Sequence, residues 1–207
     1  LTRSPGLSST GSGAATAARL CATSLGEDTG GSIRGPAAFC GLVGLRPTWG
    51  RVSRYGVDGA GWSFDTIGPI SRTVEDCAIT IGGIAGHDPQ DPYTRQVPVP
   101  DYQAALTGDI KGLKVGVVQE LMDPQELDLD PTMRQSVLNA IEVLAELGAD
   151  VRQVSMPLAE KTGYITRAIT HVDRVSLRPE YLRERAEDYH YNTRVHFTTA
   201  NLIPAQV

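Results

Sequence analysis

Apolar positions follow two different patterns along the chain, and the change between them divides it near residues 87–112. Over residues 1–86 the apolar runs are short and broken by Gly, Ala, Ser and Thr. Small residues let backbones approach closely, and glycine admits positive φ, so this stretch reads as tightly packed loops around short elements. Two short helices are expected in it, Gly13 to Leu20 and Thr73 to Ala85. His87-Asp88-Pro89-Gln90-Asp91-Pro92, with further prolines at 98 and 100, punctuates a surface connection. Beyond it, Lys114-Val115-Gly116-Val117-Val118 reads as a short buried strand. Asp130-Pro131 reads as a helix start, with Asp as N-cap and Pro at the first helical position. Met133, Val137, Ile141 and Leu144 share one face of that helix, and Gly148 stops it. Val151 to Met156 reads as a second strand, which predicts a parallel pair joined by a right-handed crossover. Residues 158–200 read as mostly helical, with Arg183, Glu184, Arg185, Glu187 and Asp188 on a solvated face.

Composition narrows the function classes. The 207 residues suffice for one domain with a sizeable core. The hydrophobic share of 41% and charged share of 21% are ordinary for a globular protein. The net charge of −5 is interspersed, which argues against direct nucleic-acid binding. No run approaches the roughly 18 apolar residues of a membrane span. The start lacks an initiator Met and a signal-peptide core, and the end is apolar, so the sequence reads as the middle of a longer chain. Cys21, Cys40 and Cys77, an odd count without C-x-x-C, suit free thiols in a reducing, cytoplasmic compartment. The histidines His87, His171, His190 and His196 form no metal spacing.

The stretch from Ser8 to Pro47 carries the chemistry. Two glycine-flanked serine loops, Gly6-Leu7-Ser8-Ser9-Thr10-Gly11 and Gly26-Glu27-Asp28-Thr29-Gly30-Gly31-Ser32-Ile33-Arg34, are separated by one short helix and one short strand. A short excursion of this kind can return the second loop beside the first. A serine nucleophile needs a proton acceptor and backbone N–H groups aimed at the developing oxyanion. Thr29-Gly30-Gly31-Ser32 offers such N–H groups without Cβ obstruction, although Gly-Gly-Ser also occurs as a plain flexible turn. Gly11-Ser12-Gly13 fails the dinucleotide fingerprint, because Thr16 stands at the third glycine position. No G-x-S-x-G elbow occurs.

These residues resemble the amidase signature family, serine amidohydrolases with a G-x-D-x-G-G-S-I/V-R-x-P-A loop, here Gly26 to Ala37. The resemblance continues through Phe39 to Thr48, Gly50 to Gly56, Asp65 to Ile70, Arg72 to Asp76 and Ile84 to Asp88. It implies an α/β fold, an α/β/α sandwich around a mixed sheet, of which this chain is a central part. Residues 1–95 would form the signature region, and 112–207 the strand–helix–strand unit with its helical continuation. The family uses a Ser–cis-Ser–Lys triad. By resemblance, Ser32 is the nucleophile and Ser8 the bridging serine at a cis bond, its hydroxyl about 2.6–3.2 Å from that of Ser32. Thr29, Gly30 and Gly31 are the oxyanion donors, and Asp28 and Arg34 support the loop. The chain departs from the family at Leu7 and Thr10, where Gly is usual, and at Glu27, where Thr or Ser is common. The three lysines, Lys111, Lys114 and Lys161, lie outside the family's base motif, so the base is expected outside this sequence. The implied function is hydrolysis of a small-molecule carboxylic amide without cofactor, with a homodimer as the assembly to consider. The alternatives are the glutaminase subunit of a tRNA-dependent amidotransferase, with its partner subunits, and a non-catalytic relative.

Overall fold

The computed structural model describes residues 3–59, 61–122, 130–177 and 179–203. In chain order the elements are α1 (Thr10–Ala17), β1 (Thr23–Asp28), α2 (Arg34–Phe39), β2 (Val43–Gly44), β3 (Thr66–Ser71), α3 (Val74–Ile84) and β4 (Lys114–Val118). They continue with α4 (Pro131–Glu146), β5 (Asp150–Val154), α5 (Thr162–Leu177), α6 (Pro179–Glu184) and α7 (Tyr191–Ala200). The protein is mixed α/β, as its sequence implies. Two compact units are formed, Leu1–Leu106 with Ala168–Val207, and Thr107–Arg167. No helix among the described residues is long and apolar enough to cross a membrane.

The first unit is built on an antiparallel sheet of order β1-β3-β2. β1 pairs with β3 from Thr23↔Ser71 to Asp28↔Thr66, and β2 pairs on the other side of β3 at Val43↔Ser71 and Gly44↔Ile70. β3 is therefore the central strand, and five of its six residues are buried. Ile33 and Ala37 bury against Ile70, with Leu42 packed alongside, so the helix that follows the second serine loop is fastened to the sheet. Gly68 permits the closest approach: a Cβ there would lie 2.1 Å from the Leu45 carbonyl oxygen. Paired hydroxyls join the neighbouring elements, Thr16 to Ser24 at 2.8 Å and Thr23 to Ser71 at 2.7 Å.

Helix α1 begins and ends three residues earlier than its sequence suggests. The Thr10 hydroxyl closes onto the Leu7 carbonyl and starts the helix early. At the other end Arg19 takes φ 61, and Leu20 N–H bonds to Ala15 O while Arg19 N–H bonds to Thr16 O, the closure that ends a helix at a left-handed residue. Helix α3 starts where expected, because Thr73 accepts the Asp76 N–H at 3.0 Å and Glu75 and Asp76 occupy the first turn.

In the second unit β4 and β5 are parallel, in register from Lys114↔Asp150 to Val118↔Val154. Asp130 caps α4 by accepting from Thr132 and Met133 N–H, and Gly148 takes φ +94 just beyond its end. Two expectations are corrected. Only Val117 of β4 is buried, and the inward stripe of α4 is Leu138, Ile141 and Leu144, while Met133 and Val137 are exposed. Arg134 lies on the same side, its Nε reaching the Met122 carbonyl at 3.2 Å.

Candidate active site

The second serine loop is shaped by one buried carboxylate. Asp28, the last residue of β1, is fully buried. Its Oδ1 accepts Gly31 N–H at 2.7 Å, and its Oδ2 accepts Ile33 N–H at 3.1 Å and Arg34 N–H at 3.3 Å. The Arg34 guanidinium forks onto both oxygens at 3.0 Å, and Arg46 Nε stands 3.5 Å from Oδ1. Burial opposes ionisation, but the Arg34 fork and the Gly31 and Ile33 N–H groups outweigh it and hold the carboxyl below its ordinary value. Gly31 takes φ +126, which turns its N–H back to this carboxylate. That N–H is thus committed to Asp28, a charged acceptor that the sequence reading of Gly31 as an oxyanion donor left out. Among the described residues the Gly30 and Ser32 N–H groups carry no hydrogen bond.

The first serine loop lies against the second. Ser9 Oγ bonds both the N–H and the carbonyl of Glu27 at 3.3 Å. Leu7 reaches over the other loop, its side chain 3.2 Å from where a Cβ on Gly31 would stand and 2.8 Å from one on Gly35. Ser8 therefore sits between two residues that contact the Ser32 loop. Its own side chain is exposed, Ser32 is half-buried, and no hydrogen bond joins the two hydroxyls. No peptide bond among the described residues is cis. The bond expected to be cis at Ser8 is trans in a turn that Thr10 closes on Leu7, and a trans bond avoids a cost of about 3–4 kcal/mol.

Behind the loop lies a polar group that local motifs do not disclose. The Thr29 hydroxyl stands 2.9 Å from Glu27 Oε1 and 2.7 Å from Asp65 Oδ1. Asp65 Oδ2 accepts Gly61 N–H at 2.9 Å, and Asp173 of α5 accepts Ser63 N–H at 3.2 Å. Arg46 donates to the Phe64 carbonyl at 2.6 Å, and Arg54 to the Trp62 carbonyl at 2.6 Å. The Arg54 guanidinium also stacks on Trp49 at 4.8 Å and Tyr93 at 5.5 Å, and Trp49 Nε1 donates to the Trp62 carbonyl at 3.2 Å. Burial first, and then the Asp65 carboxylate, push the Glu27 carboxyl up to about 7. A cavity of about 200 Å³ opens beside Asp65, Arg54, Trp62 and Tyr93, and another of about 320 Å³ is lined by Arg174, Leu177, Tyr189 and Phe197. Neither of these two is lined by Ser8 or Ser32. The only signal for Asp65 in the sequence is its place in the Asp65-to-Ile70 motif, 33 residues from Ser32.

The Amidase family model matches residues 1–202. The chain belongs to the amidase signature family. Over 153 residues, 74% of this chain, it is 54% identical to the A subunit of the glutamyl-tRNA(Gln) amidotransferase of Pelobacter propionicus, of which that match covers 31%. It superposes with a TM-score of 0.88 and 34% identity on a chain solved in a study of a vestigial protein complex and the evolutionary origins of an s-triazine catabolic enzyme, covering 98% of this chain and 43% of that one. It superposes on the native peptide amidase of Stenotrophomonas maltophilia with a TM-score of 0.80 and 30% identity, covering 97% and 46%. The chain spans about a third of the length of the curated relatives it matches.

Proposed function

We propose that this chain carries the nucleophile loop of an enzyme that hydrolyses a carboxylic amide, with Ser32 as the attacking group. The observation behind this is the loop itself: Ser32 follows Gly30 and Gly31 at a bend that Asp28 and Arg34 brace from behind, in a chain of the amidase signature family. Ser32 Oγ attacks the amide carbonyl, and the N–H groups of Thr29 and Gly30 steady the oxyanion. Gly31 contributes its backbone turn, its own N–H being held by Asp28. Ser8 passes the Ser32 proton toward a lysine from outside residues 1–207, since Lys111, Lys114 and Lys161 match no base motif. The protonated nitrogen leaves as ammonia or an amine, and water then cleaves the acyl-enzyme to the carboxylic acid. Asp28 and Arg34 take no part in proton transfer; an anion fully occupied by five N–H donors is a poor base.

Fluorophosphonate labelling of a full-length enzyme containing this sequence tests the reading. Label is expected on Ser32, and Ser32→Ala is expected to remove it and lower kcat by several orders of magnitude. Unchanged turnover in that variant would overturn the proposal. The 54% identity to the A subunit of an amidotransferase favours a second reading, in which the amide is glutamine and the ammonia passes to a partner protein. Glutaminase activity that rises when the partner subunits are added supports that reading, and activity indifferent to them supports a stand-alone amidase.

A further inference from the structure

We propose that Glu27 and Asp65 hold a single proton through the Thr29 hydroxyl, which makes Glu27 a positioning residue for the nucleophile loop. The effect on catalysis rests on the reading of Ser32 above; the proton itself does not. The argument starts from Thr29. Its hydroxyl has one hydrogen, yet it lies within bonding distance of two carboxyl groups, at 2.9 and 2.7 Å. Two ionised carboxylates offer only acceptors. One contact would then set oxygen against oxygen at a residue only 7% exposed, and unpaired polar contacts are costly where water is excluded. A proton on one carboxyl removes the conflict. Glu27 Oε1–H donates to Thr29 Oγ1, whose own hydrogen goes to Asp65 Oδ1.

The surrounding charges decide which end is neutral. Asp65 has donors suited to an anion: Gly61 N–H on Oδ2 at 2.9 Å and the Thr29 hydroxyl on Oδ1 at 2.7 Å. Glu27 lacks such help. Arg34 at the start of α2 and Arg46 just after β2 are bound to Asp28 instead. Asp28 adds a negative charge beside Glu27 on β1, and Asp173 of α5 adds another near Gly61. Protonation at Glu27 is the arrangement these groups favour, and its upward displacement to about 7 agrees with it. The proton ties the loop to residues 61–65, because Thr29 Cγ2 also lies 3.3 Å from where a Cβ on Gly61 would stand. Family members with Thr or Ser at position 27 would lack this proton.

The sign of the stability effect follows. A carboxyl raised from 4.5 to about 7 on folding contributes stability that is complete below 4.5 and is lost as pH rises through about 7. The test is carbon-13 NMR titration of the Glu27 side-chain carboxyl in the chain, with thermal melts of the parent chain, Glu27→Gln and Glu27→Ala between pH 4.5 and 8. Expected are a Glu27 midpoint near 7 and a melting temperature that falls across this range. In Glu27→Gln, whose amide keeps a donor for Thr29, the melting temperature stays flat with pH. In Glu27→Ala it is low throughout. A Glu27 midpoint near 4.5, or a slope that survives in Glu27→Gln, overturns the proposal. Failure of Ser32 to take a fluorophosphonate label leaves these readouts unchanged and counts only against the nucleophile reading.

Discussion

Asp28 and Glu27 are neighbours on one strand with opposite proton demands. Asp28 must be ionised to accept five N–H groups, so its contribution to stability is present above its ordinary value of 3.8 and is lost as pH falls through its lowered value. Glu27 adds the opposite limb as pH rises through about 7. The melting temperature is therefore expected to form a dome between these limits, measured by circular dichroism from pH 2 to 8. Asp28→Ala should cost about 1–3 kcal/mol, the range for leaving buried N–H donors without their acceptor, measured by urea unfolding near neutral pH. Leu7 offers a separate prediction at this scale. It stands over Gly31 and Gly35 where family members have Gly, so Leu7→Gly should widen access to Ser32 and raise kcat/KM for bulky amides relative to small ones. An unchanged ratio would show that Leu7 does not border the substrate. The sequence made the Asp28–Arg34 brace legible because both fall within seven consecutive residues. Asp65 was not assigned a role, because it meets Thr29 only through the pairing of β1 with β3.

Among the elements, those with a local cap were the easiest to read. Thr73 and Asp130 each accept N–H groups from the next turn, and the helices they start lie where the sequence put them. Helix α1 has no side-chain cap, and its limits depend on Thr10 and on the left-handed Arg19, neither of which periodicity reveals. Of the face expected for α4, Ile141 and Leu144 turn inward and the first two residues do not. Met133 and Val137 suit a buried stripe by polarity, but both are exposed, and Leu138 stands inward instead. Gly68 is the sharpest constraint on the sheet. With the Leu45 carbonyl 2.1 Å from its would-be Cβ, Gly68→Ala must push β2 from β3. The expected loss is at least the roughly 1–3 kcal/mol of an overpacked core, together with loss of the 3.0 Å Leu45-to-Pro69 bond. Urea unfolding gives the cost, and amide exchange at Leu45 should speed up in parallel.

For the molecule as a whole, the sequence indicated the mixed α/β class and the change of character after residue 86. It also indicated the parallel pair of β4 and β5, which one helix joins, but not the antiparallel order β1-β3-β2, because that depends on pairings between residues distant in sequence. Many large apolar side chains are exposed, among them Phe39 at 71%, Leu20 at 80% and Tyr164 at 81%. The charge that keeps copies apart vanishes near pH 5.4, so light scattering should peak close to that pH and fall on either side. The chain also carries its own optical probe. Its two tryptophans, Trp49 and Trp62, are linked by a hydrogen bond, and both lie near Tyr93. The unit Thr107–Arg167 contains neither. Fluorescence excited at the red edge of indole absorption therefore sees only the aromatic group around Arg54. Loosening of residues 61–65 would change its colour, while the second unit could melt in the dark.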